Sequence, residues 1–207
     1  MTVRPGDSIV VVVLAGGASR RFGSDKLAHD LEGLTLLDRA LAGVPAGLPV
    51  VVVGPVRSVA RPVTFVREEP PGGGPGAALI AGLRVALARG AAVVVTLPGD
   101  APDAGSAVPL LLSQLSDRPA VVGVDPDGRE QPLQVALTAG AARTLIEAAG
   151  PTAGAGASVR RMLGVVAPRP VPLGAPAAFD IDTPEQARAW VARSRVRRRA
   201  DGRPGPR

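Results

Sequence analysis

The 207-residue chain has no cysteine, a single histidine, one tryptophan and only 2% aromatic residues. Without cysteine there is no disulfide framework, no thiolate metal site and no cysteine nucleophile. His29 alone cannot build a zinc site. No apolar run approaches the ~20 residues of a membrane span, and Ile9 to Leu14 is of strand length. Arg4 and Asp7 precede too short an apolar stretch for a secretory signal, so a soluble cytoplasmic protein without a membrane association is expected.

What is abundant is aliphatic. The chain is 46% hydrophobic, enough for one domain with a full core of valine-rich strands under alanine-rich helices. Its 26 glycines and 22 prolines punctuate apolar runs and read as turns. The net charge of +6 is concentrated at one end, where eight arginines lie between Arg188 and Arg207. No aromatic residues interleave with them to stack bases, so no specific nucleic-acid partner is expected. Residues 193–207 are read as a basic, disordered tail and residues 1–8 as a flexible N-terminus, leaving one domain over 9–192.

Strands are expected at Ile9 to Leu14, Val50 to Val53, Val63 to Val66, Ala91 to Leu97, Ala120 to Val124 and Val165 to Val171. Helices are expected near Leu34 to Leu41, Ala77 to Arg89, Ala107 to Leu115, Ala139 to Ala148 and Val159 to Leu163. After the turn signal Asp125-Pro126-Asp127-Gly128, Pro132 to Leu137 is expected to return antiparallel. Thr183 and Pro184 open a last helix through Trp190. Strand, loop and helix alternate, which gives an α/β fold with a mostly parallel sheet sandwiched between helices. Such sheets bind ligands beyond the carboxyl ends of their strands.

Three features fall on that edge. The first strand runs into Ala15-Gly16-Gly17-Ala18-Ser19, whose backbone N–H groups are unshielded and suited to anionic oxygens. Arg20, Arg21 and Lys26 surround it with positive charge. Lys26 is the only lysine in a chain where Lys and Arg together number 24. A compact ammonium reaches one phosphate oxygen in a crowded cradle where a planar guanidinium does not fit, so Lys26 points to a bound nucleotide. The positions of Gly16, Gly17 and Gly23 match neither the dinucleotide fingerprint nor the P-loop spacing.

The second feature is Asp100, in Pro98-Gly99-Asp100-Ala101-Pro102 after another strand. It offers a hard oxygen to magnesium, which needs only one or two protein carboxylates beside phosphate and water. Asp182 is the candidate second ligand, although acids at a helix start are also favoured for capping. The third is Gly72-Gly73-Gly74, a base-binding or lid loop. Gln131, Arg160 and Arg161 are candidates for the acceptor, and His29 is expected to be structural or exposed.

The stretch from Leu14 to Leu27 resembles the signature loop of the molybdenum cofactor guanylyltransferase family and its nucleotidyltransferase relatives. Further likenesses are Gly73-Gly74-Pro75, Leu97 to Pro102, Gln131-Pro132-Leu133 and Asp180-Ile181-Asp182-Thr183-Pro184-Glu185. The resemblance runs from about Ile9 to Trp190 and departs at Ala101, where family members often carry methionine, and at Gly76-Ala77-Ala78. It implies a three-layer, Rossmann-like nucleotidyltransferase fold. It also implies Mg2+-dependent transfer of a nucleoside monophosphate from GTP, or CTP, to a phosphorylated acceptor such as molybdopterin, with pyrophosphate leaving. Leu14, Ala15, Gly16, Gly17 and Gly74 would bind the nucleotide. Arg21 and Lys26 would hold its phosphates, and Asp100 would bind the metal. A molybdenum enzyme or a cofactor-maturation protein would be a partner. Sugar or polyol phosphates as acceptors, or a non-catalytic nucleotide- or pterin-binding chaperone, are alternatives.

Overall fold

The valine runs Ile9–Leu14, Val50–Val53 and Val93–Pro98 form strands buried on both faces. The computed structural model describes residues 6–17 and 22–200. The strands are β1 (Ile9–Leu14), β2 (Val50–Val53), β3 (Thr64–Val66), β4 (Val93–Pro98), β5 (Ala120–Val124), β6 (Glu130–Thr138) and β7 (Arg169–Pro172). They make one seven-stranded sheet in the order β3-β2-β1-β4-β6-β5-β7. Only β6 runs antiparallel, against β4 and β5, as expected from the Asp125–Gly128 turn. Gly128 closes that turn with φ 80° and an N–H bond to the Asp125 carbonyl.

The helices are α1 (Leu36–Ala42), α2 (Gly74–Ala88), α3 (Val108–Leu115), α4 (Ala139–Ala149), α5 (Val159–Leu163) and α6 (Pro184–Ala200). Alternation along β1 separates two cores, because successive side chains of a strand point to opposite faces. Val11 and Val13 pack with Leu37 of α1, Leu111 of α3 and Trp190 of α6. Val10 and Val12 pack with Leu79 of α2, Leu145 of α4 and Leu163 of α5. The result is the expected three-layer sandwich. Burying one such aliphatic side chain stabilises by roughly 1.5–3 kcal/mol before entropy is counted. Gly82 lets α2 lie directly on the sheet, since a Cβ there would stand 2.3 Å from Val12 Cγ1.

Several boundaries differ from expectation. Helix α2 begins at Gly74 rather than Ala77, with Pro75 in its first turn, where a missing N–H costs nothing. Strand β7 begins only at Arg169, because Gly164–Val166 is a 3-10 turn ending in left-handed Ala167, φ 43°. Ser8 is not a free end: its carbonyl accepts the N–H groups of Ala92 and Val93.

The largest correction concerns the expected tail at 193–207. Helix α6 continues through Ala200, with Ser194 buried. Arg195 and Arg198 pair with Glu32, and Arg197 pairs with Asp103. Arg193 stacks over Phe179 at 4.1 Å. Three of the arginines read as solvated are paired with acids far away in sequence. Residues 201–207 lie outside the described residues.

The strand order places the site. From β1 the chain moves through β2 and β3 to one side, then crosses to β4 on the other. At such a switch point the loops after the two central strands diverge and leave a crevice. Leu14 is level with Val53 and with Pro98, so Ala15–Gly17 and Gly99–Asp100 leave the sheet side by side. The Ala15 N–H donates to Val53 at 2.8 Å and the Gly99 N–H to Leu14 at 2.9 Å.

Candidate active site

Lys26 opens a short 3-10 turn, Lys26–Ala28, capped by the Asp25 carboxylate, which accepts the Leu27 N–H at 3.2 Å. Its ammonium reaches one carboxylate from the middle of the chain and one from near its far end. Nζ stands 2.8 Å from Asp100 Oδ2 and 2.8 Å from Asp182 Oδ1. The lysine side chain is 13% exposed, and the two aspartates are 29% and 27% exposed. Burial is the largest influence on the ammonium and lowers its pKa. Asp100 and Asp182 together outweigh it and hold the pKa above the ordinary lysine value, so Lys26 is charged at neutral pH.

Local chemistry explains why Asp182 arrives there. The Gln186 side chain accepts the N–H groups of Asp182 and Thr183, and the Gln186 N–H donates back to Thr183 Oγ1 at 3.3 Å. This is a capping box, which fixes the entry into α6. The Ile181 N–H also donates to the Asp100 carbonyl at 2.9 Å, tying the two acidic segments together. Asp180 is exposed at its surface but partly desolvated. That desolvation, and then the negative Asp100 and Asp182, raise its carboxyl above the ordinary range.

The other expected site residues divide. Leu14 and Ala15 are buried at the end of β1, and Gly16 and Gly17 are exposed beyond it, Gly17 with φ 113°. Gly74 lies in the first turn of α2 rather than in a free loop. Arg20 and Arg21, with Ala18 and Ser19, lie outside the described residues. Gln131 donates to Asp125 Oδ2 at 3.1 Å and so supports the hairpin turn. Arg160 sits on Glu130, and His29 packs edge-on against Phe22.

Two residues escaped the sequence reading. Arg57, in the loop after β2, forms a two-pronged contact with Asp25, Nε to Oδ2 at 2.8 Å and Nη2 to Oδ1 at 3.1 Å. That hydrogen bonding is the main reason the Asp25 carboxyl lies below its ordinary value of 3.8. A lowered carboxyl stabilises the fold above the unfolded-state pKa and loses that contribution as pH falls through the folded-state value. The stability lead of the wild type over Asp25→Asn should therefore hold from neutral pH to about 4 and vanish below it. Thermal melts across that range check this, and a lead that grew in acid would contradict it.

The second is Glu68, two residues past the end of β3 and 8% exposed. Its Oε1 accepts the Gly72 N–H at 3.0 Å, whereas Oε2 is buried with no hydrogen-bond partner among the described residues. An unmet buried carboxylate oxygen is costly. Only its position at a strand's carboxyl end could have marked it in sequence.

A parallel α/β sheet with a glycine-rich turn, an ammonium and paired carboxylates at its switch point has the layout of a nucleotide-binding domain. The model of the MobA-like NTP transferase domain family matches residues 11–168, well over half the chain. The chain belongs to that family. A molybdenum cofactor guanylyltransferase of Acidiphilium cryptum is 39% identical over 103 residues, which cover 47% of this chain and 53% of that protein. The chain spans about half the length of the curated relatives it matches. Among solved structures, a Mycobacterium sp. strain JC1 homologue of Rv0371c superposes with TM-score 0.66 at 23% identity, covering 92% of this chain and 98% of that one. The molybdopterin-guanine dinucleotide biosynthesis protein A of Archaeoglobus fulgidus gives 0.65 at 20% identity, covering 90% and 99%. At these identities the structures establish the shared fold.

The donor set suits a hard divalent cation. Two carboxylates that contact one ammonium have oxygens no more than 5.6 Å apart, twice the contact distance. Among the described residues, no three His, Cys, Asp or Glu side chains are grouped to hold a metal by themselves. Magnesium fits that arrangement, since it draws the rest of its shell from phosphate and water. No helix among the described residues is long and apolar enough to cross a membrane.

Proposed function

We propose that the protein transfers GMP from GTP to the terminal phosphate of molybdopterin and releases pyrophosphate. The observation that carries this reading is the convergence of Lys26, Asp100 and Asp182 beside the Ala15–Gly17 turn. The names of the curated relatives, molybdenum cofactor guanylyltransferases, support this choice of acceptor and base.

Ala15, Gly16 and Gly17 line the base and ribose with backbone groups, with Leu14 beneath them. Lys26 exchanges a carboxylate for a phosphate oxygen when the triphosphate arrives, and Arg21 assists it. Asp100, with Asp182, would hold Mg2+, which when bound supplies positive charge to the phosphates. The acceptor phosphate is anionic near neutral pH and needs no general base. One of its oxygens attacks the α-phosphorus, a new P–O bond forms, and the bond to the bridging oxygen breaks as pyrophosphate departs. Catalysis rests on in-line positioning and on the charge Lys26 places where negative charge grows.

Glu68 favours guanine over cytosine. Guanine presents N1–H and N2–H together, which a carboxylate accepts as a pair, whereas cytosine offers only its N4 amino group. The Glu68→Gln protein should lose about 10- to 100-fold in GTP affinity, the weight of one good paired contact, with little change in CTP affinity. Titration with both nucleotides checks this. An unchanged GTP-to-CTP ratio would remove Glu68 from base recognition. Pyrophosphate release in the presence of Mg2+, molybdopterin and each nucleotide in turn tests the function as a whole.

A further inference from the structure

Arg57 belongs to a surface loop and yet turns inward. Its neighbour Val56 is 80% exposed, while the Arg57 side chain is 13% exposed. A loop that sends its valine to solvent and its arginine into the protein reverses the ordinary preference. Apolar packing does not explain that choice, so the guanidinium contacts must.

Those contacts reach two distant segments and Arg57's own loop. Nη1 donates to the Ala15 carbonyl at 3.1 Å and to the Pro55 carbonyl at 3.2 Å. Nε and Nη2 grip the Asp25 carboxylate. Ala15 and Asp25 are the two ends of the glycine-rich segment, and Lys26 follows the second end directly. Asp25 passes the constraint on, because its Oδ1 also accepts the Leu27 N–H that shapes the Lys26 turn. The approach is close on the other side as well: a Cβ at Gly54 would stand 2.4 Å from the Ala15 carbonyl oxygen. Five N–H donors in a rigid fork can span a carbonyl and a carboxylate at once, which a single ammonium cannot.

We propose that Arg57 is a positioning residue that clasps the two ends of the glycine-rich segment, Ala15 and Asp25, and thereby holds Lys26 at the place where it meets the nucleotide phosphates. The inference rests on the nucleotidyltransferase reading for its consequence and on contacts within the chain for its cause. Arg57 touches no reacting atom; it acts through Asp25 and Ala15.

The test uses the full chain with Arg57→Gln, Arg57→Lys, Asp25→Asn and the Arg57→Gln/Asp25→Asn pair. In nucleotide-free protein, amide hydrogen exchange at Leu27, Ala28 and His29 should accelerate in every variant while exchange in β1 and β4 stays at the wild-type rate. GTP-dependent kcat/KM should fall about 10- to 100-fold in Arg57→Gln, the scale of a slight misplacement of a phosphate-binding group. The double variant should lose no more than the worse single variant, because both act through one contact. Arg57→Lys should not recover the loss. Wild-type exchange at 27–29, additive losses in the double variant, or full recovery by lysine would each overturn the clasp. The exchange arm needs no substrate, so a wild-type protein without nucleotidyltransferase activity would sink the functional reading and leave the clasp to be judged on exchange alone.

Discussion

Lys26→Met should lower GTP-dependent turnover by about 100- to 1,000-fold, the loss typical of removing a group that stabilises developing charge. The same change should tighten divalent-cation binding to the nucleotide-free protein. Lys26 stands between Asp100 and Asp182 at 2.8 Å from each, the place a bound cation would take. Removing the ammonium leaves two carboxylates whose repulsion at that spacing is about 1 to 3 kcal/mol, depending on how much water enters. A divalent ion relieves that repulsion without having to displace a lysine. Mn2+ titration followed by electron paramagnetic resonance gives the affinity, and an unchanged affinity would mean that Lys26 does not compete for the carboxylates. Metal and nucleotide would then be coupled in the wild type, with Lys26 able to pair with phosphate where Asp100 and Asp182 hold a metal.

Asp100→Asn is the second change with a large expected effect. The amide keeps the side chain's shape, and the Asp100 carbonyl still accepts the Ile181 N–H at 2.9 Å. The fold should survive while turnover falls by about 1,000-fold. Mn2+ binding should be lost at the same time. Asp182→Asn should cost less, since Asp182 lies outside the sheet's central loops, whereas Asp100 follows β4 directly. Steady-state rates, melting temperatures and Mn2+ titrations on the two variants separate these roles. Equal turnover of wild type and Asp100→Asn would remove the metal from the account.

Much of this site was legible in the sequence, and what was hidden lay in long-range geometry. The valine runs announced the strands, and the turn before Pro132 announced the antiparallel return. Lys26 stood out as the one lysine, and Asp100 as an acid ending a strand. Their contact was not legible. The folded chain pairs them directly, because two nearby carboxylates need a counter-charge. Arg57 and Glu68 were hidden for the same reason. One arginine among many and one acid in a turn acquire meaning only when β2 and β3 bring them to the edge beside β1. The arginines of α6 were misread for the converse reason. As a run they resemble a solvated tail, but Glu32 and Asp103, their partners, lie 163 and 94 residues from Arg195 and Arg197.

The most direct test of the account is pyrophosphate release by the wild-type protein given Mg2+, molybdopterin and either GTP or CTP. Release with GTP should need both the acceptor and the metal, and release with CTP should be far slower. Release that is absent with GTP, or equal for the two nucleotides, would contradict it.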